Sequence, residues 1–406
     1  MATVFSAFAQ EQRLSLRDLI PEALKSNPEI AAAQKRFEAS RQRPTQESSL
    51  PDPMLGVGYS SAGSPLPGRG IGVEPNANAG MMISQEVPFP GKLKLRGQMA
   101  ERESEAEFQR FQSVQLNVLQ RLKSAYFQLH RDYANTDVLR RNLDLLRKFL
   151  RITEARYSVG KAAQQDIFKA QTQISILETR LVQLDQDRRS REAELNSLLN
   201  RQPNSPVARP EDLTAKPLLD GLEELYAKAE QNSPMLRSDE KMIQSAELAS
   251  NLARKEYYPD FGFTGGYYNM GSMPDMYEFR VDVKLPLYFW RKQRAGVAER
   301  SSLLSAARRT REATGQTLRF RLKDDYLMAD ASYRLLNLYA TAVIPQATLA
   351  LESSLTSYQT GTVDFLSVLM NFMTAVEYEM NYYDEMMTFQ QAVTRLEEMT
   401  GSQLLN

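Results

Sequence analysis

The sequence predicts a mainly α-helical chain that also forms part of a membrane β-barrel, built from two copies of one structural repeat. Apolar and charged residues alternate without exception from Tyr277 to Leu285, which is the pattern of a β-strand with one apolar face. No proline occurs between Lys92 and Pro203, so this stretch is expected to be long helix. The second half of the chain repeats landmarks of the first about 200 residues later.

The strand that begins at Tyr277 has the composition expected between lipid and a water-filled lumen. Its second face carries a charge at every position, where a soluble sandwich usually shows Ser or Thr. About ten residues is also the length that a tilted strand needs to cross a membrane. The side chains expected to face lipid are Tyr277, Phe279, Val281, Val283 and Leu285.

Composition argues against several classes of function. Lys and Arg together number 50, as do Asp and Glu, so no net charge favours nucleic acid or anionic lipid as a partner. The chain has no Cys and a single His, His130, which argues against thiolate metal sites, His-based catalysis and enzyme activity in general. No apolar run reaches the length of a transmembrane helix. We therefore expect no catalytic residue, no metal ion and no cofactor.

The N-terminus is similar to the end of a signal peptide. Residues 5–9 are apolar or small, and Ala7 and Ala9 have the spacing of a cleavage site. A basic segment and a full apolar core are missing, so residues 1–13 are expected to be the remnant of an export signal or an N-terminal extension.

Two repeats are expected to account for the rest of the chain, each with a short helical region, two strands and a long helical hairpin. A linker separates the two repeats, and a short tail ends the chain. The first repeat is expected at 14–203 (strands about 54–61 and 79–87, hairpin 92–200), the linker at 204–217, the second repeat at 218–401 (strands about 260–269 and 276–285, hairpin 291–400) and the tail at 402–406.

Each hairpin is expected to turn at a glycine. Tyr157 and Gly160 recur as Tyr358 and Gly361, 201 positions later. A turn at Gly160 leaves arms of about 65 and 40 residues, or about 95 and 60 Å, which are longer than the helices of a globular core. Apolar residues in both arms step by three and four, the spacing of a coiled-coil seam: Leu139, Leu143, Leu146, Leu150, Ile174, Leu177, Leu181 and Leu184.

Four strands cannot close a barrel in lipid, where no open sheet edge is tolerated and eight or more strands are needed. The chain is therefore expected to pool its strands with further copies. Two copies supply eight strands, which make a barrel too narrow to conduct anything large. Three copies supply twelve strands and twelve long helices, so we expect a homotrimer whose 12-stranded β-barrel continues into a 12-helix α-barrel.

Over about residues 14–401, the chain strongly resembles the TolC family of outer-membrane efflux channels. The order, spacing and duplication of several short motifs carry the resemblance, rather than one specific motif. These motifs are the run from Leu19 to Pro28, Tyr157-x-x-Gly160 with Asp166, and Tyr358-x-x-Gly361 before Phe365-Leu366-Ser367-Val368-Leu369.

The resemblance implies a passive, gated exit duct in the outer membrane that reaches into the periplasm. It implies three kinds of partner: outer-membrane lipid, a periplasmic membrane-fusion adaptor and an inner-membrane pump that drives metal ions or drugs through the duct. Residues 85–92 and Pro51-Asp52-Pro53-Met54 are similar to the branch that serves heavy-metal pumps of the RND class. Drug pumps of the RND class and ABC-type exporters remain open.

The closable end of such a duct is expected at the hairpin turns. In the family, a turn Tyr of the second hairpin hydrogen-bonds an Asp of the first, and Tyr358 and Asp166 match those positions. The family's Arg after the second turn is Val363 here, and its two pore-ring acids fall on Ser367 and Met370. Asp364 is therefore either a replacement acid in the ring or the N-cap of the following helix. The expected gate residues are Tyr157, Gly160, Asp166, Tyr358, Gly361, Asp364 and Ser367.

Two alternatives are also compatible with parts of the sequence. An outer-membrane channel for ABC-driven type I protein secretion would have the same fold and a different cargo. A soluble coiled-coil scaffold or adaptor would explain the helices, but it leaves the alternation from Tyr277 to Leu285 without a cause.

Overall fold

The computed structural model describes residues 13–63, 65–402 and 404. The expected signal remnant therefore lies outside the described residues, except for Arg13. Of the expected tail, the described residues include Ser402 and Leu404.

The predicted order of helix, strand, strand and helical hairpin occurs twice. Both repeats begin with short helices, continue through an antiparallel strand pair and end in long helices. The first repeat comprises α1 (Leu16–Ser26), α2 (Pro28–Ser40), α3 (Arg43–Ser48), β1 (Met54–Ser60), β2 (Asn78–Val87), α4 (Lys92–Ser158) and α5 (Gln164–Leu198). The second comprises α6 (Leu222–Asn232), α7 (Pro234–Lys255), β3 (Asp260–Asn269), β4 (Met276–Lys284), α8 (Lys292–Leu338), α9 (Ile344–Thr360) and α10 (Phe365–Thr400).

The break between α1 and α2 comes from an Asn-Pro pair. Pro28 takes the first position of α2, where a missing N–H costs nothing. The side-chain oxygen of Asn27 accepts hydrogen bonds from the backbone N–H groups of Glu29 (2.9 Å) and Ile30 (3.2 Å), which caps the helix. Its amide nitrogen donates to the carbonyl of Leu198 (2.9 Å), so the cap also ties α1 and α2 to the end of the first hairpin.

The chain forms two compact units that do not coincide with the two repeats. One unit holds the described residues up to 33 together with 112–234 and 315–404, and the other holds 34–111 and 235–314. Each unit contains segments of both repeats, because α4 and α8 pass from one unit to the other.

The first unit contains the hairpin ends and a long apolar core. The predicted coiled-coil seam forms part of this core: Leu139, Leu143 and Leu146 of α4 are buried, as are Leu177 and Leu184 of α5. Side chains from the second hairpin complete the same cluster, among them Leu351, Tyr358, Phe365, Val368, Leu369 and Phe372. The two hairpins therefore share one core.

The second unit contains a four-stranded antiparallel sheet in the order β1-β2-β3-β4. Its register pairs Val57 with Met81, Met81 with Tyr267, and Tyr267 with Tyr277. The sheet therefore joins strands of the two repeats in its middle, between β2 and β3. Within the described chain, β1 and β4 each have a strand neighbour on one side only.

The second hairpin contains an interruption that the sequence analysis does not predict. Residues Tyr339–Val343, between α8 and α9, form a π-helical segment in which the N–H of Ile344 donates to the carbonyl of Tyr339. Pro345 follows directly and lacks an N–H, so it cannot donate to the carbonyl of Thr341 four residues earlier. A wider turn relieves the clash of its ring with that carbonyl.

None of the helices in the described ranges is both long enough and apolar enough to cross a membrane.

Candidate functional site

The end of the first hairpin is a tight turn built around Gly160. This glycine has φ 73°, in the left-handed region that side chains disfavour. Its N–H donates to the carbonyl of Tyr157 (2.9 Å), and the N–H of Lys161 donates to the carbonyl of Arg156 (2.8 Å). These two bonds are the Schellman motif, which satisfies the last carbonyls of α4.

The end of the second hairpin has the same hydrogen bonds. Gly361 has φ 86°, and its N–H donates to the carbonyl of Tyr358 (3.1 Å). The N–H of Thr362 donates to the carbonyl of Ser357 (3.0 Å). The duplication therefore extends to the backbone bonds that close both turns, and both glycines are required by their left-handed backbone.

The two turn tyrosines have different surroundings. Tyr157 is 44% exposed, whereas Tyr358 is 3% exposed and belongs to the shared core. The Tyr358 ring lies 5.1 Å from that of Phe149 and 6.2 Å from that of Phe365, both edge-on. Tyr358 is thus first of all a packing residue between the two hairpins.

The Tyr358 hydroxyl donates a long hydrogen bond to the hydroxyl of Thr153 (3.5 Å), which is fully buried. Asp166, the partner that the family resemblance implies, lies half-buried in the first turn of α5. Among the described residues, Tyr358 is therefore bonded to Thr153 rather than to Asp166.

Asp364 occupies the N-cap position of α10, but its side chain makes no capping hydrogen bond to that helix. Its carboxylate accepts a hydrogen bond from the Ser367 hydroxyl, and this bond lowers the pKa of Asp364 below its usual value. Both residues are exposed. Val363, at the position where the resembled family has an Arg, is half-buried and packs against the shared core.

Arg156 lies between the two hairpin ends and was not among the expected gate residues. Its guanidinium donates to the carbonyls of Tyr358 and Gln359 (2.9 Å for the latter) on the second hairpin. It also donates to the carbonyl of Lys161 (3.3 Å) in its own turn. The signal that could have indicated this residue is a basic side chain in the last turn of a helix.

The sheet has one apolar face across all four strands. The register places most apolar residues of each strand on the same face as those of its neighbours, with Gln85 opposite Phe263 as a polar exception. This face carries Leu55, Val57, Tyr59, Met81, Ile83, Phe261, Phe263, Tyr267, Tyr277, Phe279, Val281 and Val283. Leu285, the last residue expected on it, lies one position beyond β4 and is exposed.

The opposite face of the sheet is mostly polar or small, with Met54, Met82 and Met276 as its apolar exceptions. It carries the charged residues of β4 and several glycines of the other strands. Tyr268 covers two of those glycines, because a Cβ at Gly80 or Gly266 would lie within 3.0 Å of its side chain. The Tyr268 hydroxyl donates to the carboxylate of Glu278 (3.0 Å) on β4.

Among the described residues, no group of three or more His, Cys, Asp or Glu is arranged to hold a metal ion. His130 is half-buried in α4, and burial lowers the pKa of its imidazole.

Comparison with known proteins relates the chain to outer-membrane channels. The model of the outer membrane efflux protein family matches residues 19–201 and 225–402. Two curated Pseudomonas putida proteins, the probable efflux pump outer membrane protein SepC and the toluene efflux pump outer membrane protein TtgF, are each 24% identical over 290 residues. The alignment covers 67% of this chain and 59% of each relative, so it spans less than two thirds of their length.

Solved structures of outer-membrane channels have the same fold. The OprN channel superposes with a TM-score of 0.81 at 15% identity, covering 95% of this chain and 89% of that one. CusC gives 0.80 at 15% identity (95% and 91% covered), and VceC from Vibrio cholerae gives 0.81 at 17% identity (96% of both). With the family model matching nearly the whole length, this chain belongs to the outer membrane efflux protein family.

Proposed function

We propose that this chain is the outer-membrane channel of a tripartite efflux system. It acts as a passive, gated exit duct for substrates that an inner-membrane transporter delivers through a periplasmic adaptor. The relatives named above are outer-membrane proteins of efflux pumps, which supports this assignment. The transport energy comes from the inner-membrane partner, so the chain itself needs no catalytic residue or cofactor.

The observation that carries the proposal is the two-faced sheet. Its apolar face is exposed at Val57, Met81, Tyr277 and Phe279, with exposed fractions from 54% to 82%. A soluble chain would bury such a face against a second layer, whereas a barrel strand turns it to lipid and its polar face to a lumen. The proposed lipid-facing residues of β4 and its end are Tyr277, Phe279, Val281, Val283 and Leu285.

The open edges of the sheet support a homotrimer. Within the described chain, β1 and β4 each lack a strand neighbour on one side, and lipid tolerates no open edge. Three copies joined β4 to β1 would close a barrel of twelve strands. Their six hairpins would supply the twelve-helix tube that continues it.

The hairpin ends are the proposed closable end of the duct. They lie far along the chain from the strands, and they combine two Schellman turns with a shared aromatic core. We assign the gate to Tyr157, Gly160, Asp166, Tyr358, Gly361, Asp364 and Ser367. Asp364 and Ser367 are exposed and bonded to each other, which supports a role for them in setting the charge at the opening.

The class of substrate depends on the inner-membrane pump that delivers it to the duct. TtgF is named for toluene efflux, which supports organic solutes or drugs as proposed substrates. Metal ions are proposed as well, because residues 85–92 and Pro51-Asp52-Pro53-Met54 resemble the heavy-metal branch of the family. Efflux is preferred to type I protein secretion because both curated relatives are named as parts of efflux pumps. The two-faced sheet argues against a soluble scaffold.

The test is the location and size of the particle. The full chain would be expressed behind an intact signal peptide, and the inner and outer membranes would then be separated. The molar mass of the detergent-extracted particle would be measured by light scattering. An outer-membrane trimer that conducts ions across a planar bilayer is the expected result. A soluble monomer or dimer would contradict the proposal and favour the scaffold alternative.

A further inference from the structure

We propose that Arg156 is the latch that holds the two hairpin ends together and so keeps the gate closed. The inference rests on the proposed function, because a latch has meaning only in a channel with a closable end. It assigns to Arg156 a positioning role: this residue contacts no substrate, but fixes the second hairpin end against the first.

The first observation is the group that Arg156 binds on the second hairpin. The carbonyls of Tyr358 and Gln359 belong to the last turn of α9, where the regular helical N–H donors run out. The Tyr358 carbonyl accepts the turn bond from the N–H of Gly361, and Arg156 donates to both carbonyls. The C-terminus of a helix carries a partial negative charge, which a cation stabilises. The Arg156 guanidinium supplies both the cation and the hydrogen-bond donors.

The second observation is the stacking of Arg156 on the Tyr358 ring. The guanidinium carbon lies 4.6 Å from the ring centre, which is within the range of a cation–π contact. Because Tyr358 is buried in the shared core, Arg156 covers the end of that core as well as the end of α9. Separating the hairpins there would expose the ring and break these contacts together.

The third observation concerns the space around Arg156. A Cβ at Gly361 would lie 3.3 Å from Arg156 Nη2, whereas a Cβ at Gly160 would meet nothing within 4 Å. Gly361 therefore serves the turn and also leaves room for the guanidinium. The two glycines share the left-handed backbone but differ in this contact, which makes them a matched pair for a test.

The fourth observation is an asymmetry between the repeats. The position that corresponds to Arg156 in the second hairpin, 201 residues later, is Ser357. Its carbonyl accepts the turn bond of Thr362. The latch therefore consists of a side chain of the first hairpin bound to backbone carbonyls of the second.

Arginine is required rather than any cation. The Arg156 guanidinium donates from Nη1 to the carbonyls of the second hairpin and from Nη2 to the carbonyl of Lys161, while its face stacks on the Tyr358 ring. A lysine ammonium has no second nitrogen and no planar face, so it cannot reproduce that fork. We therefore expect Arg156→Lys to behave more like Arg156→Met than like the unchanged protein.

The test compares single-channel recordings of purified trimers in planar bilayers. Arg156→Met and Arg156→Lys should raise the fraction of time that the channel spends open about tenfold. This is the change expected when the closed state loses one charge-assisted hydrogen bond. Arg151→Met removes an exposed arginine from the same helix and should leave the open fraction unchanged. Trimer mass and melting temperature are measured alongside, because a purely structural role would move those and not the open fraction.

One result would overturn the latch, and another would overturn the requirement for arginine. An unchanged open fraction in Arg156→Met trimers would show that the contacts do not hold the gate. A raised open fraction in Arg156→Met together with a normal open fraction in Arg156→Lys would show that a positive charge is enough to hold the gate. That result would contradict the need for the planar guanidinium. If the unchanged protein forms no conducting trimer, the proposed function fails instead.

A second pair of variants tests the latch if Arg156→Met does not assemble. Gly361→Ala and Gly160→Ala impose similar backbone strain, but only the Cβ of Gly361→Ala comes as close as 3.3 Å to the guanidinium, which must then shift by a few tenths of an ångström. Gly361→Ala should therefore raise the open fraction well above that of Gly160→Ala. Equal open fractions in the two variants would contradict the latch.

Discussion

The ammonium group of Lys92 lies 2.9 Å from a carboxylate oxygen of Asp260, and the Lys92 side chain is 1% exposed. The same ammonium donates to the carbonyl of Tyr258 (3.1 Å) and lies 3.3 Å from the Glu256 carboxylate. Lys92 begins α4 and Asp260 begins β3. This ion pair therefore joins the first long helix of one repeat to the first strand of the other.

Lys92→Met is expected to destabilise the protein by about 3 kcal/mol, because it leaves the Asp260 carboxylate without its buried partner. The measurement is the free energy of unfolding of the detergent-solubilised protein in denaturant, followed by circular dichroism. Lys94→Met is the control, since Lys94 is exposed two residues later. Equal stabilities of the two variants would mean that the pair does not hold this junction.

Val281→Lys is expected to impair assembly in the membrane by about 2–4 kcal/mol if Val281 faces lipid near the midplane. The measurement is the yield of heat-modifiable trimer in the outer membrane. Asp282→Lys is the control, because it places a lysine on the opposite face of β4, where it meets water in the proposed lumen. It removes an exposed ion pair with Arg280, which contributes little to stability. Equal yields of the two variants would contradict the assignment of the faces.

Tyr358→Phe is expected to change stability and gating little, because the hydroxyl makes one long hydrogen bond while the ring fills the shared core. Tyr358→Ala should cost about 3–5 kcal/mol, the range for removing a buried aromatic ring. Thermal unfolding of both variants separates the two contributions. A Tyr358→Phe variant as unstable as Tyr358→Ala would show that the hydroxyl, and not the ring, is decisive.

Asp132→Asn is expected to stabilise the protein at neutral pH. The Asp132 side chain is fully buried, and burial raises the pKa of its carboxyl although Arg131 donates to it. Among the described residues its second oxygen has no hydrogen-bond partner. Two further charged groups act on it: Asp187 raises the pKa, and Arg191 lowers it.

The sign of the pH dependence follows from the raised pKa. The folded protein binds a proton at Asp132 more readily than the unfolded chain, so this group favours folding more as the pH falls through its raised pKa. The advantage of Asp132→Asn should therefore be largest at neutral pH and shrink in acid. Denaturant titrations between pH 4 and pH 8 would test this, and an advantage that grows in acid would contradict it.

Local patterns were sufficient to predict most of the architecture. The alternation at β4, the seam at Leu139 to Leu146 and the turn glycines each depend on neighbours a few residues away in the chain. Such short periods determine which face of an element is apolar and where it ends. The π-helical segment before Pro345 was not predicted, because a proline within a helix can be accommodated in more than one way.

Residue type and spacing were enough to predict the repeat, the order of its elements, the two-faced strand and the two turns, because these features depend on residues close together along the chain. The packing of the folded chain was needed to show which tyrosine of the duplicated motif is buried, that Arg156 lies against α9, and that Lys92 pairs with Asp260. These contacts join residues that are more than 160 positions apart. Their partners depend on how the helices and strands pack, which no local pattern specifies.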